Sequence, residues 1–164
     1  MRLPKMLLVL FVCAATPVSA GPSEDAYAAY SRGDYATALR LWRPLADQGN
    51  AYAQTQLGVM YELGRGVPKG NATAAAWYRK AAEQGYAIGQ ANLGHMYEEG
   101  LGVPRDYVQA YKWWSLAASR FSASQSSRRD TVIKSRDALA AKMTSAQIAE
   151  AQKLAREWKP NRRG

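Results

Sequence analysis

The sequence predicts an all-α fold, an α/α solenoid of stacked antiparallel helix pairs. Three observations predict it. A block of the chain recurs at a fixed interval of 36 residues. Apolar residues inside that block fall at helical spacing and are punctuated by glycine and proline. No segment alternates apolar and polar residues long enough to argue for a strand. A fixed period of this length marks stacked supersecondary units rather than one globular core.

The block is Leu57-Gly58-Val59-Met60-Tyr61-Glu62-Leu63-Gly64-Arg65-Gly66-Val67-Pro68, followed by Trp77-Tyr78 and Ala81-Ala82. Leu93-Gly94, Tyr97, Gly100, Gly102-Val103-Pro104, Ala110, Trp113-Trp114 and Ala117-Ala118 repeat it 36 positions later. Leu57 and Tyr61 are four apart and share one helix face. Gly58 lets a neighbouring helix approach closely, at up to about 1 kcal/mol of helix propensity. Gly64 suits the left-handed conformation that ends helices. Gly66 is a second flexible point, Val67 plugs back into the core, and Pro68 stops the helix. Trp77 and Tyr78 over Ala81 and Ala82 give a large-over-small stripe for the next unit to pack on.

In chain order, Arg2 and Lys5 precede an apolar run from Met6 to Ala15, broken by Thr16-Pro17 and followed by Val18-Ser19-Ala20. That is the pattern of a secretory signal peptide over residues 1–20, cut after Ala20. The run is about half of the roughly 20 residues that a bilayer span needs. Cys13 is the only cysteine and leaves with that segment, so the exported chain depends on packing rather than disulfides. Ser23 is the expected cap of a first helix, with Glu24 and Asp25 in its first turn and Ala26, Tyr27 and Tyr30 as its apolar side. A second helix starts near Asp34 and carries Ala38, Leu41, Trp42, Leu45 and Ala46 to Gly49. These positions precede their counterparts in the first full copy by 36 residues, so this pair is a divergent repeat with a shortened linker. Asp106 is the expected cap of the second helix in the last copy. Its counterpart is Gly70, so Asn71 is the expected substitute. Ser122 with Gln125, and Thr144 with Gln147, are capping boxes. They open a helix to about Lys142, with Val132, Ile133, Leu139 and Ala140 inward, and a last helix to about Trp158. Ile148, Ala151, Ala155 and Trp158 are expected to cover the end of the stack, as repeat arrays require. The domain plan is a solenoid over 21–121 and capping helices with a basic tail over 122–164.

The motif resembles the Sel-1-like repeat, a relative of the tetratricopeptide repeat, from about Ala26 to Ala118. The resemblance implies an adaptor that binds proteins or peptides. Some exported members carry a disulfide in each repeat; this chain has none, so activities particular to those members do not carry over. The segment from Met143 to Trp158 looks like a closing stretch found in bacterial members.

Enzyme signatures are sparse. There is one histidine, His95, and neither His-Glu-x-x-His nor Gly-x-Ser-x-Gly occurs. Gly64-x-Gly66 follows a helix and recurs as a turn, which argues against a phosphate loop. Asn71-Ala72-Thr73 matches a glycosylation acceptor but falls at a repeat turn. Neither a cofactor nor a metal site is implied. The competing class is a cell-envelope hydrolase with an unconventional site.

Relatives of this repeat line a concave groove with the first helix of each pair. Leu57, Tyr61, Leu93 and Tyr97 are committed to the core. The side chains left free for a protein partner are then Tyr52, Thr55, Val59 and Glu62, with Ile88, Ala91, His95, Glu98 and Glu99. Glu62, Glu98 and Glu99 form an acidic row suited to a basic partner segment. The full chain carries a net charge of +9, concentrated after Phe121, where ten basic residues face four acidic ones. Arg128, Arg129, Lys153, Arg156, Lys159, Arg162 and Arg163 are the candidates for weak contact with an anionic membrane or wall polymer. Nucleic acid is not an expected partner.

Overall fold

The computed structural model describes residues 21–161; the predicted leader, Arg162 and Arg163 lie outside them. Eight α-helices follow one another, and no strand occurs among the described residues. They are α1 (Pro22–Ser31), α2 (Tyr35–Asp47), α3 (Ala51–Leu63), α4 (Asn71–Glu83), α5 (Ala87–Glu99), α6 (Tyr107–Arg120), α7 (Ser126–Ala140) and α8 (Ser145–Glu157). Helices α1/α2, α3/α4 and α5/α6 form pairs, α2 packs on α3, and α4 packs on α5. This is the expected α/α solenoid. Both α7 and α8 pack principally on α6.

The helix ends follow local chemistry, with three departures from expectation. Asp34 accepts from the Thr37 amide at 3.1 Å and Asp106 from the Gln109 amide at 3.0 Å, so both cap as expected. Thr144 and Gln147 form a reciprocal box, with bonds of 3.2 and 2.9 Å. The first helix, however, starts at Pro22 with Gly21 at the cap position, two residues earlier than a Ser23 cap would place it; proline is tolerated there because the first amides have no helical partner. Asn71 does not cap α4. Gly70 is extended at the cap position, which makes Asn71 the first helical residue, and its Oδ1 is buried with no partner among the described residues. Ser122 and Gln125 open a short 3-10 turn, Ala123–Gln125, before α7 begins at Ser126.

The core clusters run from each pair into the next. One cluster joins Ala38 and Trp42 of α2 to Leu57 and Met60 of α3, and Trp77 of α4 closes it. A second joins Ala74, Tyr78 and Ala82 of α4 to Leu93 and Met96 of α5, with Trp113 of α6. A third joins Trp114 and Ala117 of α6 to Val132 and Leu139 of α7 and Ala151 of α8. Each pair therefore needs the next one to bury its apolar side. Tyr27, expected on the apolar side of α1, is instead 56% exposed. Ile148 and Ala151 pack on the last cluster as expected, but Ala155 and Trp158 reach the second. The Trp158 ring meets Trp113 edge-on at 6.0 Å, and the Asn161 amide bonds to the Glu83 carbonyl at 2.7 Å. The closing segment thus straps α6 to the end of α4 rather than lidding the stack.

Two glycine positions explain the motif. A Cβ on Gly58 would lie 2.4 Å from the Tyr78 ring, and one on Gly94 would lie 2.6 Å from the Trp114 ring. The missing side chain is a seat for an aromatic ring from the partner helix. The loop glycines are more than flexible points. Gly66 packs on Tyr35 at the start of α2, and Gly102 on the Asn71–Ala72 peptide at the start of α4. Both have φ near +70°, at 72° and 68°, so each loop is pressed onto the preceding pair. Val67 and Val103, the next residues, then pack against the first and second clusters.

A further device recurs at 36 residues. The buried Gln54 side chain donates to the Ala46 carbonyl at 3.0 Å, and buried Gln90 donates to the Ala82 carbonyl at 3.1 Å. Each glutamine ties a first helix to the frayed carbonyls at the end of the preceding second helix. Gln84 completes the first site by donating to Gln54 Oε1 at 2.8 Å. Its counterpart, Arg120, lies over the Trp158 ring at 4.6 Å instead, and Gln90 Oε1 is buried without a partner among the described residues.

Gly58→Ala separates packing from propensity. Propensity alone would stabilise α3 by about 1 kcal/mol. Filling the Tyr78 seat costs about 1–3 kcal/mol, so the expected outcome in urea unfolding is a net loss that Tyr78→Leu partly relieves. A midpoint at or above wild type would show that the seat does not constrain the pair.

Candidate protein-binding face

The first helices α1, α3, α5 and α7 present one face, and two cavities open on it between successive members. The larger, about 510 Å³, lies between α1 and α3 and is lined by Ser23, Glu24, Tyr27, Asn50 and Tyr52. The smaller, about 280 Å³, lies between α5 and α7; its lining includes Ile88, Ala91, Asn92, Phe121, Arg128 and Thr131.

The nine expected partner-binding residues divide three ways. Tyr52, Ile88 and Ala91 line these cavities. Tyr52 is half-buried and meets the Trp42 ring edge-on at 6.3 Å. Thr55, Val59 and Glu62 are not free. Thr55 is 2% exposed and donates its hydroxyl to the Ala51 carbonyl at 2.9 Å. Val59 packs on the second cluster. Glu62 accepts the Tyr78 hydroxyl at 2.6 Å. That bond reaches across 16 residues, which is why local spacing on α3 gave no sign of it. His95, Glu98 and Glu99 sit together in the last turns of α5, their ligand-type atoms within 4.8 Å of one another. Glu98 pairs with Lys142 at 3.7 Å, so one of the two carboxylates is already answered from the turn after α7. The continuous acidic row is thereby broken: Glu62 serves the core, Glu98 has a lysine, and Glu99 is exposed.

Reading α3 and α5 alone left out the residues that complete the cavities. Glu24 and Tyr27 come from the divergent first pair, and Phe121 and Arg128 from beyond the last motif. Arg128 was visible only as one of many basic residues. Its position beside Ile88 depends on α7 standing where another first helix would stand. Burial raises the Tyr52 hydroxyl above its ordinary value, and neighbouring Tyr86 adds to that. Burial also raises Tyr86, while nearby Arg128 pulls it down.

The described face offers shape, aromatic surface and separated charges, the equipment of a helical-repeat binding scaffold. Sequence comparison agrees: the Sel1 repeat model matches residues 27–50, 51–86 and 87–120. The chain belongs to the Sel1 repeat family, whose repeats in general mediate protein–protein interaction and whose members are typically non-enzymatic scaffolds. Among solved structures it is similar to c5321, a protective antigen of uropathogenic Escherichia coli strains with an SLR fold. There the TM-score is 0.74 and the identity 31%, over 84% of this chain and 29% of that one. It is also similar to a Sel1 repeat protein from Oxalobacter formigenes, with a TM-score of 0.57 and 38% identity over 60% of this chain and 40% of that one. The chain thus spans well under half the length of either. No curated protein matches it in sequence.

The Tyr78–Glu62 bond makes stability depend on alkaline pH. Burial, and then donation to the Glu62 carboxylate, hold the Tyr78 hydroxyl protonated far above the ordinary tyrosine range. In the unfolded chain it ionises near pH 10. The folded state therefore keeps a proton that the unfolded state loses, and stability falls as pH rises past about 10. Between pH 10 and 11, Tyr78→Phe should lose stability less steeply than wild type, the difference approaching about 1.4 kcal/mol per pH unit. Parallel slopes would mean that Tyr78 titrates alike in both states.

Proposed function

We propose that this protein is an exported adaptor that holds a segment of a partner protein on the face formed by its first helices. The observation that carries the reading is the pair of cavities between successive first helices. Their walls combine apolar and aromatic side chains with a few polar groups, the usual composition of a recognition site. The export part rests on the short apolar run from Met6 to Ala15 with its small-residue cleavage pattern. His95 is exposed, and the acidic groups beside it are already partly paired, so a binding role accounts for this face more simply than a hydrolase would.

Affinity capture from the exported fraction of the native cell, with identification by mass spectrometry, tests the reading. Thr131 is exposed and lines the smaller cavity, so Thr131→Trp fills the cavity without entering the core. The expected outcome is a set of partners retained by wild type and reduced at least about tenfold by Thr131→Trp, the loss of some 1.4 kcal/mol, with circular dichroism unchanged. Equal capture by both proteins would move binding to another surface.

A further inference from the structure

The smaller cavity joins an apolar floor to a single cation. Ile88 and Ala91 of α5, Phe121 just after α6 and Val132 of α7 supply the floor. Phe121 and Val132 belong to the third core cluster, and Ile88 and Ala91 pack against it. The floor is therefore held by the packing of three helices. Arg128 is the one charged residue in the lining. It is exposed, and none of the ion pairs among the described residues involves it. The acid nearest to it along α7, Asp130, pairs with Arg129 at 3.7 Å instead. The cavity thus presents an unanswered guanidinium at the edge of an apolar surface.

Resting on the groove reading above, we propose that this cavity takes the C-terminal residue of the partner protein. That residue is apolar: its side chain lies on the Ile88–Val132 floor, and its α-carboxylate meets the Arg128 guanidinium. Charge complementarity calls for a carboxylate, and the planar guanidinium fork matches its two oxygens. The apolar floor calls for a hydrocarbon side chain beside that carboxylate. An acidic residue inside a chain does not meet both demands. In an extended segment neighbouring side chains point to opposite faces, so an acid and the apolar residue next to it do not enter together. At a chain end the carboxylate and the side chain leave the same Cα, and one residue supplies both. The volume of about 280 Å³ lies just below the roughly 300–1,000 Å³ of small-molecule pockets, which suits one residue rather than a length of chain. Capture of a C-terminal carboxylate is a recurring mode of peptide recognition.

The test pans a library of random heptapeptides, displayed with a free C-terminus, on the immobilised full chain. Enriched peptides are then synthesised as free acids and as carboxamides, and their affinities are measured by fluorescence anisotropy for wild type, Arg128→Gln and Thr131→Trp. The expected pool carries leucine, isoleucine, valine, methionine or phenylalanine at its last position. Each acid should bind wild type at least about tenfold more tightly than its amide, as a lost charge-assisted bond implies. Arg128→Gln, with circular dichroism unchanged, should remove that difference and leave the apolar preference in place. Acid and amide bound alike by wild type would overturn the proposal, as would a difference that Arg128→Gln leaves intact. A pool with no preferred last residue would also overturn it. So would a pool that prefers an internal aspartate or glutamate, which would make an acidic side chain the occupant. In each of these cases the groove reading still stands if Thr131→Trp abolishes binding. Binding equal on wild type and Thr131→Trp would overturn both.

Discussion

The fold depends on a ring seated against a bare stretch of helix. At Gly58 and Gly94 the first helix of each full pair offers no side chain, and Tyr78 or Trp114 fills the space. The rings are almost wholly buried. Without them each pair would have a gap where its two helices face each other, and with any larger residue at the glycine the helices would be pushed apart. Everything further out inherits that spacing. The loop after each first helix reaches the preceding pair because the helices are this close, and Gly66 and Gly102 then meet the starts of α2 and α4. Gln54 and Gln90 reach the carbonyls of Ala46 and Ala82 for the same reason.

The two seats are alike in shape and different in chemistry, and the difference propagates to the surface. A tyrosine in the seat carries a hydroxyl that needs an acceptor when buried, and Glu62 supplies it. A tryptophan in the seat donates from its ring nitrogen to the Ala91 carbonyl at 3.0 Å. Glu98, the counterpart of Glu62, is released by that exchange and pairs with Lys142. One substitution within the repeat thus decides which acid belongs to the core and which to the face.

The repeats, the pairing of helices and most helix boundaries were legible in the sequence, because glycine, proline and capping residues act locally. Asp34, Asp106 and the Thr144–Gln147 box needed no tertiary information. The glutamine ties were not read, although Gln54 and Gln90 stand 36 residues apart; glutamine favours neither core nor surface strongly enough to draw notice, and only its carbonyl partner explains its burial. An amphipathic wheel assigns Thr55 and Glu62 to the outer side of α3. Their partners are the turn before and a ring 16 residues on. Residue type alone makes Asn71 a cap, but the extended backbone at Gly70 takes the cap position and leaves Asn71 as the first helical residue. Of the face, Tyr52, Ile88 and Ala91 are legible from the repeat, while Glu24 and Arg128 lie outside the matched repeats and Tyr27 sits at the very start of the first.

If ring seats, loop contacts and glutamine ties all cross between helices in this way, no single pair can open by itself. Native-state hydrogen exchange, resolved by residue, tests that claim most directly. Amides in the middle of α3, α4, α5 and α6 should exchange through one common opening whose free energy equals that of global unfolding. Separate opening free energies for the α3/α4 and α5/α6 pairs would contradict it, and would make the chain a string of independently stable units.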